Sequence, residues 1–489
     1  MKVQLIPKIA IENSHPRGMK SSTDMEYARL ATEVANAMAK CNVSSVSADG
    51  LRYIALSIAL YFEDVVADAG LWRGFTDGMK QRYGSYLPFF PIDEATYMRD
   101  EPNIDDVRFL VWYNMLEVHH GRVANPESPV LWKLADAAYA VLDSSFETVS
   151  VNDQLKQYLT DAPFADDFYK QRETLKWFSI ACHLTNVPAA LDRLRQQAQE
   201  MLPYFHGNAN MSFYFAENMM PFKTPVGPLE LLPQEWLAMT LRANGNSEAA
   251  DKIGNQHFID YQLYKVANVN DDDSTVTFEN AKGETVVISQ ENLNTPHEEM
   301  REGRVVAACF VEYGGKWELN CSCVWSDDTK RYDELCEEEK SRGLLHDVYD
   351  KLVADNGGSR ILYFADTAAM KTFLFDNLPF DEDVKKEFSL PGEHKDIALY
   401  IPEDYGDFEI LPDAALCMKD ERNPYYNEKM ARNQALNLAL SMKSGVRDYV
   451  ISQGLLPDAA INSSKGLERG REIVQQNFSF IVRAVSSRL

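Results

Sequence analysis

The stretch LRYIALSIALYFEDVV, residues 51–66, decides the fold class of the first half of this chain. Its apolar side chains recur with a period of about 3.6 residues and cover two opposite sides of a helix. A helix that is apolar on two sides is usually buried between neighbouring helices. Ser47 and Asp49 precede the stretch and are suited to begin a helix. The stretch therefore predicts the central helix of a helical domain.

The helical period continues on both sides of this helix, from residue 23 to residue 256. The helices expected there span 23–40, 103–120, 129–146, 165–186, 188–202 and 232–253. Between them lie aromatic connections that contain proline, of which residues 83–91 are the clearest; their composition is typical of a loop packed on helices.

Near residue 257 the period changes from 3.6 to 2, which is typical of strands. Strands are expected at 261–269, 275–280, 285–289, 305–313 and 316–325, the last two joined by Gly314-Gly315 as a two-residue turn. Beyond them, helices are expected at 331–356, 366–377, 427–444 and 465–486, and short strands at 360–364 and 397–401.

These patterns predict an α+β multidomain protein. An N-terminal all-α helical domain would occupy residues 1–256 and a small antiparallel β sheet or barrel residues 257–327. A C-terminal α+β region would occupy residues 328–489.

The net charge and the cysteine content limit which partners the protein can bind and which compartment it occupies. The 74 acidic residues outnumber the 49 basic ones and give a net charge of −25, which repels nucleic-acid phosphates and anionic lipid surfaces. No run of apolar residues approaches the ~20 needed to span a membrane, and Pro7 and Lys8 interrupt the N-terminal stretch too early for a signal peptide. Seven scattered cysteines argue against a disulfide framework. We expect a cytoplasmic protein that binds neither nucleic acid nor membranes.

Charges on the central helix provide the candidate binding site. Glu63 and Asp64 interrupt its apolar surface, and buried charges must be paired. Two interpretations remain open: a polar pocket covered by tryptophans, or an ion-pair network with nearby arginines, which we favour. The candidate binding residues are Glu63, Asp64, Trp72, Arg73, Arg108 and Trp112.

A weaker alternative is a metal site at Glu117 and His120, which project from one face near the end of helix 103–120. Di-iron bundles use this spacing, but they need a second such pair. Glu12 and His15 have the same spacing, yet Pro16 argues against a helix there. The histidines also suit a polar helix end. We therefore predict no metal and no cofactor, with Glu117 and His120 as the alternative.

Two further metal patterns are weak. In a hairpin with Gly314-Gly315 as its turn, residue i pairs with residue 629 − i, which predicts Cys321 and Cys323 on one face and Cys309 on the other. No neighbouring ligand pair completes a zinc site. Residues 268–279 resemble a calcium loop, but Asp273 stands where glycine is required. Buried thiols and an acidic hairpin tip are the expected structures.

Six phrases resemble a family of large bacterial proteins classified only as a domain of unknown function. They are residues 61–64, 70–75, 83–89, 108–113, 423–426 and 456–459. The resemblance covers most of the chain, and it implies no reaction, cofactor or catalytic residue.

The sequence contains no local catalytic motif: no nucleophile elbow, phosphate-binding glycine loop, dinucleotide fingerprint or His-Glu-x-x-His. The residues do not decide whether the protein is an enzyme, and they favour a protein that is not one. We expect a binding or interaction protein without established catalysis, whose partner is a protein or a small molecule. The alternative is a metal-assisted hydrolase with a carboxylate and histidine site in the helical domain.

Overall fold

The structure is a computed structural model that describes residues 3–119, 122–293, 295–380, 382–388, 392–404, 406–456 and 459–488. The chain divides into two compact units. The first comprises Met1–Asn280, Thr285–Asp327 and Arg483–Leu489, and the second comprises Ala281–Glu284 and Asp328–Val482. The three-domain division at residues 256 and 327 stays a prediction.

The first unit begins with helices joined by short loops. These are α1 (Lys8–Glu12), α2 (Asp24–Ala39), α3 (Ala48–Ala67), α4 (Leu71–Tyr83), α5 (Ile104–Val118), α6 (Pro129–Ser145), α7 (Asp153–Asp161), α8 (Phe168–Ile180), α9 (Pro188–Met201), α10 (Ala209–Lys223), α11 (Pro233–Ala243) and α12 (Ser247–Gly254). A 3-10 turn at Leu202–Phe205 lies between α9 and α10.

Helix α3 is buried on nearly all sides, which confirms it as the central helix of this unit. The Ser47 hydroxyl accepts a hydrogen bond from the Gly50 amide at 3.0 Å and caps its first turn. Helices α2, α5 and α7 pack around it. Tyr61 and Phe62 are fully buried, so the apolar stretch supplies the centre of the core.

The expected helix 232–253 is wrong in one respect, because α11 and α12 are separate helices. Gly245 between them has a φ of +78°, which an α-helix does not allow. Helices α1, α4, α7 and α10 were not predicted. In α4, Gly74 disfavours a helix by intrinsic propensity. Its missing side chain lets α4 approach α11 closely, since a Cβ there would lie 3.0 Å from the Thr240 nitrogen.

An antiparallel sheet follows the helices in the first unit. Its strands are β1 (Phe258–Asn270), β2 (Thr275–Asn280), β3 (Thr285–Ser289), β4 (Val305–Tyr313), β5 (Lys316–Leu319) and β6 (Val324–Ser326). They are ordered β3-β2-β1-β4-β5, with β6 also paired to β4. Tyr264, Phe278 and Phe310 are buried against one another and form the core of the sheet.

The hairpin register is confirmed from Tyr313–Lys316 to Phe310–Leu319, and there the predicted strand 316–325 breaks. Cys321 is buried in the same cluster as Cys309, so the expectation that they face opposite sides is wrong. The break follows Asn320, whose side-chain amide donates to the Asn218 carbonyl of α10 at 2.9 Å while its backbone amide still donates to the Cys309 carbonyl. Strand β6 then pairs with β4 in a register shifted by two residues. Cys323 lies against the sheet core, as predicted.

The second unit combines helices with a small sheet. It contains α13 (Lys330–Asp355), β7 (Ile361–Asp366), α14 (Thr367–Asn377), α15 (Glu382–Glu387), β8 (Lys395–Tyr400), β9 (Glu409–Leu411), α16 (Glu428–Ser441) and α17 (Ser444–Ser452), and α18 (Leu467–Ser486) ends the chain. The strands are antiparallel in the order β7-β8-β9. The expected helix 427–444 is wrong at its end, since it stops at Ser441 and α17 begins at Ser444.

The fold class predicted from the sequence is confirmed: N-terminal helices, an antiparallel sheet in the middle, and a C-terminal region of helices with a small sheet. Throughout the described ranges, the helices all lack the combined length and apolar character that a membrane span requires.

Candidate functional site

Glu63 and Asp64 are neighbours on α3, but they have separate environments. Both side chains are buried, at 1% and 2% exposure. Successive residues of a helix point about 100° apart, so adjacent carboxylates reach different partners. Glu63 contacts side chains from elsewhere in the helical region, whereas Asp64 contacts the backbone at the start of α4.

Asp64 has a structural role. Its two oxygens accept hydrogen bonds from the amides of Leu71, at 3.0 Å, and Trp72, at 2.5 Å. Free amides at a helix start need such acceptors, and they also favour negative charge. Burial raises the pKa of Asp64 to about 7, while the two amides oppose that shift. Asp64 therefore caps α4 and joins it to α3.

Glu63 belongs to a group that we call the histidine–carboxylate cluster, which consists of His15, Asp24 and Glu63. The Nε2 atom of His15 lies 2.9 Å from Oε2 of Glu63. Its Nδ1 atom lies 3.6 Å from Oδ1 of Asp24. All three side chains are at most 2% exposed. One imidazole is thus enclosed between two buried carboxylates.

Several elements hold this cluster in place. Asp24 is the first residue of α2, and its Oδ2 atom accepts a hydrogen bond from the Ser21 amide at 3.0 Å. Asn152, which caps α7, donates from Nδ2 to Oε1 of Glu63 at 2.8 Å. The indole of Trp177 in α8 donates to the carbonyl of Ser14 at 2.7 Å and holds the backbone next to His15.

Charge in the cluster is only partly compensated. Burial lowers the pKa of His15, but the hydrogen bond and charge of Glu63, together with Asp24, raise it by more. Burial raises the pKa of Asp24, and the nearby charge of His15 opposes this. The amine of Lys8 lies 3.7 Å from Asp24 at the edge of the cluster. The two acids therefore favour the positively charged form of His15.

Two atoms of the cluster lack a hydrogen-bond partner within the described residues, namely Nδ1 of His15 and Oδ1 of Asp24. They face each other at 3.6 Å, which is too long for a hydrogen bond. Buried polar atoms without a partner are uncommon because desolvation costs about 1–3 kcal/mol each. Such a pair indicates a place where a ligand or ion could bind.

His15 also lines a cleft in the first unit, which we call the His15 cleft. Its volume is about 280 Å³. Its walls combine the Trp177 ring and Ile180 with charged side chains. The charged lining residues besides His15 are Glu12, Arg17, Glu173, Lys176 and Glu217. His15 is thus the member of the histidine–carboxylate cluster that borders this polar opening.

The predicted arginine partners lie elsewhere. Arg73 pairs with Asp68 at 2.5 Å and donates to Asn244. Arg108 pairs with Asp105 at 2.9 Å and covers the ring of Trp132. Among the described residues, no ion pair joins Glu63 or Asp64 to an arginine.

The two predicted tryptophans are core residues. Trp72 packs edge-on against Tyr61 with ring centres 4.8 Å apart, and it is 1% exposed. Trp112 is fully buried, packs on Phe89 of the loop 83–91 at 4.6 Å, and donates to the Ala124 carbonyl. These rings pack in the interior and are absent from the lining of the His15 cleft.

Of the alternative metal pair, the structure describes Glu117 alone. Glu117 lies 3.9 Å from the guanidinium of Arg488. His120 lies outside the described residues. In the described part of the chain, the histidine–carboxylate cluster is the group of three possible ligands whose ligating atoms all lie within 4.8 Å of one another.

Sequence reasoning missed His15 and Asp24 as partners of Glu63. Glu12 and His15 have the spacing of a pair on one helical face, but α1 ends at Glu12, so His15 lies outside the helix. The chain instead bends after α1 and turns His15 towards α3. The available signal was a histidine between Ser14 and Pro16, which does not specify a partner 48 residues away.

A second buried acid forms what we call the tyrosine–aspartate cluster, which consists of Tyr61, Tyr97 and Asp106. The two phenol hydroxyls each donate to a different oxygen of Asp106 at 2.7 Å. Burial raises the pKa of Asp106 to about 7, and the hydroxyls oppose this shift. Every Asp106 oxygen therefore has a partner.

The chain matches the family described as "Protein of unknown function (DUF3843)" over residues 5–290 and 316–486. It belongs to this family. The matched segments contain His15, Asp24 and Glu63. No curated protein and no solved structure matches the chain. The family description names no reaction or ligand, so the chemistry of the site follows from its geometry.

Proposed function

We propose that this DUF3843 protein binds a small polar molecule in the His15 cleft, without established catalysis. The observation that supports this proposal is the cleft itself, where an indole wall, paired opposite charges and a buried histidine converge on about 280 Å³. Ligand sites commonly combine an apolar wall with a few polar groups and a side chain of shifted pKa.

The charges of the cleft favour a ligand that carries both signs. Lys176 lies 2.8 Å from Glu173 and 3.9 Å from Glu217. Arg17 lies 3.0 Å from Glu173. A ligand with an acidic and a basic group can exchange these contacts for its own without leaving a charge unpaired. Amino acids and similar zwitterions are therefore the proposed ligand class.

The test is calorimetric titration of the full chain with common amino acids, and with amides and N-acetyl derivatives that lack one charge. We expect binding of at least one zwitterion and much weaker binding of its singly charged derivatives. Replacing Lys176 with methionine removes a buried cation from the cleft and should abolish that binding.

Lys170→Met is the matched control, because Lys170 is on the same helix but points to solvent and pairs with Asp167. The control should bind like the unmodified protein. Equal loss in both lysine variants, or binding that ignores the charge of the ligand, would refute the cleft as the binding site.

Metal-assisted hydrolysis is the second candidate function, and the specific observation in its favour is the pair of unbonded atoms in the histidine–carboxylate cluster. Three protein ligands with one open position are typical of catalytic zinc sites. This function would be supported by hydrolysis of activated ester and phosphate substrates, provided that the hydrolysis requires added metal and disappears in His15→Gln. Absence of metal-dependent turnover in the metal-loaded chain would count against it.

We also propose that the protein is bacterial and works in the cytoplasm with a small-molecule or protein partner, and without nucleic acid. The net charge of −25 and the scattered, odd number of cysteines support this proposal. Cell fractionation tests the compartment. Affinity capture at native expression level tests the protein partner, and recovery of the chain alone would count against that partner.

A further inference from the structure

We propose that the histidine–carboxylate cluster binds one divalent first-row transition-metal ion through a ring nitrogen of His15 and one oxygen each from Asp24 and Glu63. Water from the His15 cleft would occupy the remaining position. This inference goes beyond zwitterion binding and does not depend on it. It also does not require hydrolysis, so metal binding without turnover would support the site and count against the hydrolase.

The spacing of the ligand atoms fits such an ion. One ligating atom from each residue lies within 4.8 Å of the other two. The two contacts of His15 use different ring nitrogens: Nε2 lies 2.9 Å from Oε2 of Glu63, and Nδ1 lies 3.6 Å from Oδ1 of Asp24. Atoms bound tetrahedrally at about 2.0–2.2 Å from a metal lie roughly 3.3–3.6 Å apart. An ion binds only one of these nitrogens, so a rotation of the His15 ring or a shift of one carboxylate must bring that nitrogen and both oxygens, which lie within 4.8 Å of one another, to this separation.

Hydrogen bonds outside the cluster hold each carboxylate so that one oxygen faces inward. Asn152 binds Oε1 of Glu63 and leaves Oε2 towards His15. The Ser21 amide binds Oδ2 of Asp24 and leaves Oδ1 towards His15. Metal sites commonly use such outer contacts to orient their ligands. The arrangement is therefore that of oriented ligands.

The competing explanation is a protonated imidazole that bridges the two acids. A proton on Nε2 satisfies the contact with Glu63. A proton on Nδ1 does not satisfy Asp24, because 3.6 Å exceeds hydrogen-bond range. A proton leaves the buried Oδ1 atom of Asp24 without a partner, whereas an ion bound to a ring nitrogen and both acids contacts that atom. The ion also adds positive charge between two buried carboxylates.

The donor set indicates which metals to test. One imidazole and two carboxylates suit zinc, iron, manganese or cobalt better than copper(I), which prefers sulfur. Co²⁺ is the chosen probe because its visible absorption reports the ligand type. Nitrogen and oxygen ligands give only weak d–d bands, whereas thiolates add an intense charge-transfer band, and the seven cysteines make that distinction necessary.

The experiment titrates the chelator-treated full chain with Co²⁺. We expect d–d absorption that saturates at one equivalent without a thiolate band. Asp24→Asn and Glu63→Gln should each weaken the binding by at least about tenfold. Loss of a contact that only orients a ligand already costs about 10–100-fold, and these changes remove a ligand itself. Asp106→Asn is the matched control: it makes the same change at a buried acid of the same unit and should alter the affinity less than twofold.

Three results would overturn the proposal. These are no binding at millimolar Co²⁺, a spectrum dominated by thiolate bands, and equal affinity in the Asp24, Glu63 and Asp106 variants. Circular dichroism checks that the variants are folded. Should the cluster variants unfold, crystals of the unmodified chain soaked in Co²⁺ decide: an anomalous peak among His15, Asp24 and Glu63 supports the site, and its absence overturns it.

Discussion

Two buried acidic clusters each include one residue of helix α3, and they differ in how many of their polar atoms have a hydrogen-bond partner. In the tyrosine–aspartate cluster, both oxygens of Asp106 accept phenol hydroxyls at 2.7 Å. In the histidine–carboxylate cluster, Nδ1 of His15 and Oδ1 of Asp24 have no hydrogen bond within the described residues. Tyr61 and Glu63, only two residues apart, contribute to different clusters.

The difference shows how a structural acid can be told from a candidate functional one. A buried acid whose hydrogen bonds are complete rigidifies the core and leaves no place for a ligand. A buried acid with an unbonded oxygen keeps a desolvation penalty that a bound ion or molecule can relieve. Burial alone does not separate these cases, since Asp24 and Asp106 are both fully buried.

The largest expected effect comes from removing the acid of the complete cluster. Asp106→Ala leaves two buried phenol hydroxyls without an acceptor and should lower the free energy of unfolding by about 3–5 kcal/mol. Asp24→Ala should lower the free energy of unfolding by roughly half as much, because it also removes the repulsion between Asp24 and Glu63. Urea unfolding of the first unit measures both. A larger loss in Asp24→Ala would contradict the comparison.

A pH series should sharpen the contrast. The pKa of Asp106 is raised from 3.8 in the unfolded chain to about 7 in the folded protein. Its contribution to stability is therefore fully present below pH 3.8, falls as the pH rises to about 7, and is constant above it. The loss between these limits is about 4 kcal/mol.

Asp106→Asn cannot ionise, so the difference in unfolding free energy between it and the unmodified protein should follow that curve. Unfolding in urea at several values from pH 4 to pH 8 measures this difference. A difference that does not change with pH would show that Asp106 is ionised throughout and is stabilised by its two hydroxyls.

A smaller effect is expected from the outer contact of Glu63. Asn152→Ser keeps an oxygen that can cap α7 but loses the amide that binds Glu63. Stability should fall by about 1–3 kcal/mol, because the buried Oε1 atom of Glu63 loses its donor, and Co²⁺ affinity should fall about tenfold. The matched control is Asn246→Ser, which changes the same kind of cap on α12. Equal cobalt affinity in the two variants would exclude an orienting role for Asn152.

The smallest effect concerns Lys8, whose amine lies 3.7 Å from Asp24 and competes with a bound cation. Lys8→Met should tighten Co²⁺ binding by roughly threefold, because a nearby positive charge at partial exposure is removed. Lys20→Met, in the same N-terminal segment, serves as the control. Weaker binding in Lys8→Met would indicate that the amine orients Asp24 instead of opposing the ion.

Local patterns explain why much of the fold could be predicted. The 3.6-residue period of residues 51–66 required a helix buried on two sides, and α3 is such a helix. The Gly314-Gly315 turn set the register of its hairpin as far as Leu319. The prediction failed after Asn320, whose side-chain amide bonds to Asn218 of a distant helix, and β6 resumes pairing in a register shifted by two residues. It also failed at α4, where close packing against α11 outweighs the low helix propensity of glycine.

By itself, the sequence determined that Glu63 and Asp64 are charges on a buried helix and must have partners. Only the tertiary structure decided which partners: helix-start amides for Asp64, and His15 with Asn152 for Glu63. The partners of Glu63 lie 48 and 89 residues away along the chain. The period of a sequence shows which face of an element is buried. It does not show which distant segment packs against that face, and the hydrogen bonds of Glu63 depend on that choice.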